Sequence, residues 1–183
     1  MFHRSDRLLL RPVWPEDWQR ILGGIADKAI VANLARAPWP YREDDARAFT
    51  ALPIAPKEPR FVITQADTAQ VVGCIGIDHL EDRPDAIELG YWIARPYWGR
   101  GYATEAGHAV LQIARTLGHT QVIASHFEDN PASGRVLQKL GFEPTGRTLM
   151  RHSCGRGHEA LTREYARDLS AYEDATPDNR QAA

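Results

Sequence analysis

The chain has 183 residues, a formal net charge of −2, 43% apolar residues and 25% charged ones. That length predicts one domain, residues 1–183, with its structured part at 7–168 and a core of ordinary size. The near-neutral balance gives no case for nucleic acid or an anionic membrane as partner, and no apolar run approaches the length of a membrane span.

Met1-Phe2-His3-Arg4-Ser5-Asp6 lacks the apolar centre of an export signal, so a cytoplasmic protein with unpaired Cys74 and Cys154 is expected. Arg7 to Val13 reads as a first strand. Pro15 then opens a short helix whose first turn holds Glu16 and Asp17. Helices are expected over Lys28–Ala35 and Glu43–Ala51, with Trp39-Pro40-Tyr41 as a turn or bridge between them. Pro53, Pro56 and Pro59 forbid regular structure. Strands follow at Phe61–Gln65, Val71–Asp78 and Ala86–Ile93. Gly101–Leu117 is the strongest helix: Ala106, Val110, Ile113 and Leu117 form an apolar stripe, and Gly118 ends it. Gln121–Phe127 is a strand. Asn130 caps a helix that starts on Pro131 and stops at Gly141. Phe142–Met150 and Glu159–Tyr165 are the last strands, and Ala171–Ala183 is expected to fray. This order indicates one mixed α/β sheet.

The most informative stretch joins the strand ending at Ile93 to the helix opening near Gly101. A strand, a glycine turn and a helix N-terminus make an anion seat, because the first helical N–H groups lack intrahelical partners and the helix dipole favours negative charge. Amides from Gly99 to Thr104 would bind a phosphate-bearing ligand, with Arg95 and Arg100 able to add charge. A P-loop needs Lys-Ser or Lys-Thr after its last glycine, and none follows here. The dinucleotide fingerprint needs a small residue where Thr104 stands.

Trp98-Gly99-Arg100-Gly101-Tyr102-Ala103 resembles the acyl-CoA pyrophosphate loop of the GNAT superfamily of N-acetyltransferases, although Trp98 stands where Gln or Arg is usual. Asn130-Pro131-Ala132-Ser133, Lys139-Leu140-Gly141-Phe142 and the opening Arg7-Leu8-Leu9-Leu10-Arg11-Pro12 resemble the ribosomal-protein-alanine branch, the RimJ/RimL type. The resemblance implies a mostly antiparallel, twisted sheet of about seven strands flanked by helices. It also implies acetyl-CoA as co-substrate, an amine acceptor (a protein N-terminus or a small molecule), no metal, and a homodimer as one assembly to consider. A non-catalytic acyl-CoA-binding module is the alternative.

Acetyl transfer to an amine needs a proton acceptor, stabilisation of the thioester oxygen, a donor to the departing sulfur and alignment of the reactants. On an alternating strand Glu88, Gly90 and Trp92 share one face, while Ile87, Leu89, Tyr91 and Ile93 share the core face. Glu88 is therefore the candidate base; an ordinary ion-paired glutamate is the plainer reading. Ser133, one turn into its helix, is the candidate donor to sulfur, and a packing hydroxyl is its plainer reading. The resemblance places a backbone N–H near Trp92 or Ile93 at the thioester oxygen and Asn130 at the pantetheine arm. It excludes a tyrosine donor seven residues after Asn130, where Leu137 stands. His126 could line the cleft, though such histidines are more often structural. Of the N-terminal aromatics, Trp39 and Tyr41 are the better candidates for an acceptor wall than Trp14 or Trp18. His152, Cys154 and His158 lack the fourth ligand that a zinc site needs.

Overall fold

Leu8 and Leu10 are fully buried while Leu9 between them is only partly so, as a strand resting one face on a core requires. In the computed structural model, which describes residues 1–80 and 83–170, this strand is β2 (Leu8–Pro12), preceded by a two-residue β1 (His3–Arg4). A 3₁₀ turn (Pro15–Asp17), α1 (Trp18–Ile25), α2 (Lys28–Val31) and α3 (Glu43–Ala51) come next. Then follow β3 (Arg60–Gln65), β4 (Val71–Leu80), β5 (Arg83–Ile93), a second 3₁₀ turn (Arg95–Tyr97) and α4 (Tyr102–Thr116). β6 (Gln121–Phe127), α5 (Pro131–Lys139), β7 (Glu143–Ser153) and β8 (His158–Asp168) complete the described chain. The tail expected to fray, 171–183, lies outside the described residues.

The strands form one sheet in the order β1-β2-β3-β4-β5-β6-β8-β7. Eight strands replace the expected seven because His3 and Arg4 pair with Leu10 and Leu9, a contact too short to leave a sequence period. Every pair is antiparallel except β5–β6. That parallel pair holds only from Ala86–Gln121 to Glu88–Ile123. Beyond it β5 runs on to Ile93 and β6 to Phe127 without pairing, so the sheet opens between them.

Both faces of the sheet are covered, which is why β3 and β4 read as continuous apolar runs. On one face Ile87, Leu89 and Ile93 pack with Ala106 and Val110 of α4 and Leu137 of α5. On the other, Val62, Cys74 and Trp92 pack with Ile21 and Ile25 of α1, Val31 and Tyr41. Burial drives the Cys74 thiol pKa well up, leaving it a small apolar group; Cys154 is exposed, and both are free. Arg11 and Asp17, 8% and 2% exposed, join β2 to the start of α1 through paired bonds of 2.7 and 2.6 Å. Asp17 also accepts from the Trp14 amide at 2.9 Å.

The helix expected over Lys28–Ala35 stops at Val31. The tip of the β7–β8 hairpin binds the carbonyls just past the end of α2. Ser153 Oγ donates to Leu34 O at 2.8 Å, the Cys154 amide to Ala35 O at 2.9 Å, and Arg156 Nε to Ala32 O at 2.6 Å. Gly155 sits so close that a Cβ there would lie 2.5 Å from Val31 O. Arg156 completes the clamp with a bidentate pair to Asp129 at 2.7 and 2.8 Å. Among the described residues no helix is long and apolar enough to cross a membrane.

Candidate active site

The opening between β5 and β6 is the centre of a cleft of about 820 Å³ that reaches both faces of the sheet. At one end lies the turn that leads into α4. Gly99 and Gly101 take φ of +74° and +78°, a left-handed backbone that other residues adopt only at a cost, and Gly101 is the N-cap of α4. Among the described residues no carbonyl accepts from the amides of Gly99 to Thr104; the first amide of this stretch with a backbone partner is Glu105, bonded to Gly101 O. Gly99, Gly101, Tyr102, Ala103 and Thr104 line the cleft.

This turn is braced from the N-terminus. Glu105, in the first turn of α4, accepts from Ser5 Oγ at 2.7 Å, the Arg7 amide at 2.9 Å and Arg7 Nε at 2.8 Å. Arg7 also donates to Arg100 O at 3.0 Å and lies over the Tyr102 ring. Partial burial would raise the Glu105 pKa, but the hydrogen bonds from Ser5 and Arg7 outweigh it and hold the carboxyl below its ordinary value. Sequence reasoning used Arg7 only as part of a motif and missed this role.

Arg95 and Arg100 do not line the cleft. Arg95 pairs with Asp27 at 3.0 Å and lies over the Trp98 ring; Arg100 lies over Tyr97. Both were expected to add charge at the turn, and these are their partners in the structure. Two other cations, Arg135 and Lys139 on α5, line the cleft instead. Trp98 lines it too, with its indole N–H bound to Ile93 O at 2.6 Å.

Strand parity selects among the backbone donors. The Ala94 amide donates to Val72 O, so along β5 the even-numbered amides turn to β4 and those of Tyr91 and Ile93 turn into the opening. The Trp92 amide therefore faces β4, and its ring, 8% exposed, packs in the second core. Of the expected pair, Ile93 alone presents its N–H to the cleft.

On the α4–α5 face, Ser133 Oγ lies 2.8 Å from Tyr91 Oη. Burial pushes the Tyr91 phenol up to about 12, against the smaller effect of its bond to Ser133. Asn130 caps α5, its side chain accepting weakly from the Ser133 amide at 3.4 Å. Tyr91 was assigned to the core from its parity, and nothing in the sequence tied it to Ser133.

On the opposite face Glu88 pairs with Arg151 of β7 at 2.5 Å. Asp78 stands directly across from Glu88 in the β4–β5 ladder and pairs with Arg36 at 2.7 Å. Adjacent like charges repel, and each carboxylate is held by its own guanidinium. Asp78, Arg36 and Arg151 were not singled out from sequence; pairing the two expected strands in register would have flagged Asp78. Tyr41, 8% exposed, lines this end, and burial together with Asp45 pushes its phenol up to about 12. Trp39, expected in the acceptor wall, is 40% exposed and outside the cleft lining, whereas Tyr41 lies within it. His126 lines the cleft, but its Nδ1 bonds Phe127 O at 2.8 Å and its ring packs at a tilt against Tyr165. Among the described residues no three His, Cys, Asp or Glu side chains are grouped to hold a metal.

The sequence pattern of the acetyltransferase (GNAT) domain matches residues 7–143. An uncharacterised N-acetyltransferase of Bacillus subtilis (strain 168), YoaA, is 29% identical over 146 residues, covering 78% of this chain and 82% of that one. The fold is similar to RimL, a ribosomal L7/L12 alpha-N-protein acetyltransferase solved with coenzyme A, at TM-score 0.78 and 16% identity over 94% of this chain and all of that one. It is also similar to the microcin C7 self-immunity acetyltransferase MccE, solved with acetyl-CoA and AMP, at TM-score 0.74 and 17% identity over 90% of this chain and 94% of that one.

Proposed function

This chain belongs to the acetyltransferase (GNAT) family, and from that premise we propose that it moves an acetyl group directly from acetyl-CoA to a primary amine through the opening between β5 and β6. The observation that carries this reading is the position of that opening: it joins a turn of unpartnered amides on one side to a carboxylate on the other. The amides of Gly99 to Thr104 hold the pyrophosphate, with Arg135 and Lys139 adding positive charge. The pantetheine arm passes Asn130 and brings the thioester into the opening. Its carbonyl oxygen accepts from the Ile93 N–H as charge builds there.

The acceptor approaches from the Glu88 face. Its nitrogen bonds to the thioester carbon, the C–S bond breaks, and the amine proton leaves to Glu88 directly or through water. Ser133 donates a hydrogen bond to the departing sulfur, and Tyr91 in turn donates to Ser133. Arg151 orients the Glu88 carboxylate. No acyl-enzyme is needed.

For the acceptor, the likeness to RimL supports the α-amino group of a protein N-terminus. A small-molecule amine is the second reading, in keeping with the likeness to MccE, solved with acetyl-CoA and AMP. The test is a thiol-release screen with acetyl-CoA over N-terminal peptides, amino acids, polyamines and aminoglycosides. Release with at least one class supports the proposal. CoA binding by calorimetry without release from any amine would instead favour a non-catalytic acyl-CoA-binding module.

A further inference from the structure

Arg60 begins β3 and pairs with Gly76 of β4, which pairs with Gly90 of β5. Antiparallel partners present their side chains to the same face, so this row lies on the face of Glu88 and Trp92. Two of its three members carry no side chain: a Cβ built on Gly90 would meet nothing within 4 Å, and one built on Gly76 would meet the Arg60 stem, with Cγ at 3.2 Å. A glycine-floored trough therefore crosses the sheet, with the Arg60 stem lying over Gly76, open space over Gly90, and Glu88 one strand repeat beyond Gly90. Strand spacing and rise separate the Arg60 and Glu88 Cα positions by about 12 Å.

The guanidinium at the end of this trough is uncompensated. Arg60 lines the cleft and lies 5.3 Å from the Phe49 ring. Its Nη1 is closed off from solvent, and no described group accepts from it. The other acids facing the trough are engaged: Asp78 with Arg36, Glu88 with Arg151, and Asp45 with the Arg42 amide at 2.8 Å. A half-buried cation without an anionic partner is costly, and an anion delivered to it is bound correspondingly well.

We propose that the acceptor carries a carboxylate several bonds from its amine and that Arg60 receives it; this rests on the acetyl transfer proposed above. The amine lies at Glu88, the connecting chain over Gly90, and the carboxylate at the guanidinium, whose stem covers Gly76. A single planar fork matches the geometry and charge of one carboxylate, whereas a phosphate dianion would call for a second free cation.

The test uses matched acceptors that differ only in this group: straight-chain ω-amino carboxylates against their carboxamides, and short peptides with Glu against Gln at the second position. Each is measured by thiol release and by calorimetric binding to the CoA-saturated protein. The carboxylate form should be favoured in kcat/KM by about tenfold or more. Arg60→Met should bring that ratio near one with CoA affinity unchanged, and Arg60→Lys should restore part of it. Gly90→Val should raise the acceptor KM without altering CoA affinity. The proposal is overturned if the carboxamides do equally well, if the preference survives in Arg60→Met, if Gly90→Val leaves acceptor KM unchanged, or if no carboxylate-bearing amine binds. Thiol release from uncharged amines with no such preference would overturn this inference alone and leave acetyl transfer standing.

Discussion

The hydroxyl groups of Tyr91 and Ser133 meet at 2.8 Å, one from β5 and one from α5, so they bridge the two sides of the opening in the sheet. Tyr91 is held neutral by burial, its phenol pushed up to about 12. It therefore remains a donor throughout the neutral and mildly alkaline range. Ser133→Ala should lower kcat about 100-fold with little change in KM for acetyl-CoA. Tyr91→Phe should cost less, and the double variant should cost less than the product of the two, because the residues act as one unit. Steady-state kinetics of the three variants checks this; strict multiplicativity would separate Tyr91 from the reaction. The raised phenol also fixes a sign for stability. Its contribution is present below the ordinary tyrosine value of 10.0 and is lost as pH rises through about 12, and Tyr91→Phe should flatten that alkaline limb.

The proposed function puts the Glu88–Arg151 pair on the acceptor side. Glu88→Gln should lower turnover about 100-fold while CoA binding, measured by calorimetry, stays as in the wild type. Arg151→Met should also lower turnover, by loosening the carboxylate. Unchanged turnover of Glu88→Gln at every pH would remove Glu88 from the proton transfer.

The brace of Arg7 and Glu105 holds the turn proposed to bind CoA and, on that proposal, acts on binding rather than on chemistry. Glu105→Gln should raise KM for acetyl-CoA about tenfold and leave kcat nearly intact. Because the Glu105 carboxyl is held below its ordinary value of 4.5, its contribution is full above that value and is lost as pH falls through the lower, folded one. CoA affinity of the wild type should therefore weaken on acidification below about pH 4.5, and Glu105→Gln should lack that component. Calorimetry across this range decides the matter.

Arg11 and Asp17 make the most deeply buried of the described ion pairs whose two partners are both enclosed, with side chains 10% and 3% exposed. Asp17→Ala leaves the guanidinium uncompensated in the second core and should destabilise the fold by about 3–5 kcal/mol, read from urea denaturation. Replacing both partners by apolar residues of similar size should recover most of the loss, since the surviving charge is then removed as well.

Local signals carried much of the architecture. α3 spans Glu43–Ala51 as its acidic first turn and the following prolines indicate, and α4 begins and ends at the glycines expected to bound it. The parity of β5 divided its residues correctly between two faces, because a strand's period of two is local. The glycine turn into α4 was legible for the same reason: glycine spacing and a helix start are properties of adjacent residues.

What the sequence by itself determined, then, is each element whose cause lies within a few residues of chain: the capped helices, the alternating strands, the glycine turn and the family motifs built on them. The tertiary structure alone decided that α2 ends at Val31 and that Arg95 is spent on Asp27. It also decided that Trp39 turns outward and that Tyr91, Arg151 and Arg60 converge on the cleft from separate strands. Those outcomes depend on contacts between residues tens of positions apart, set by sheet register and by the point where β5 parts from β6, and a one-dimensional pattern does not encode distances across a sheet.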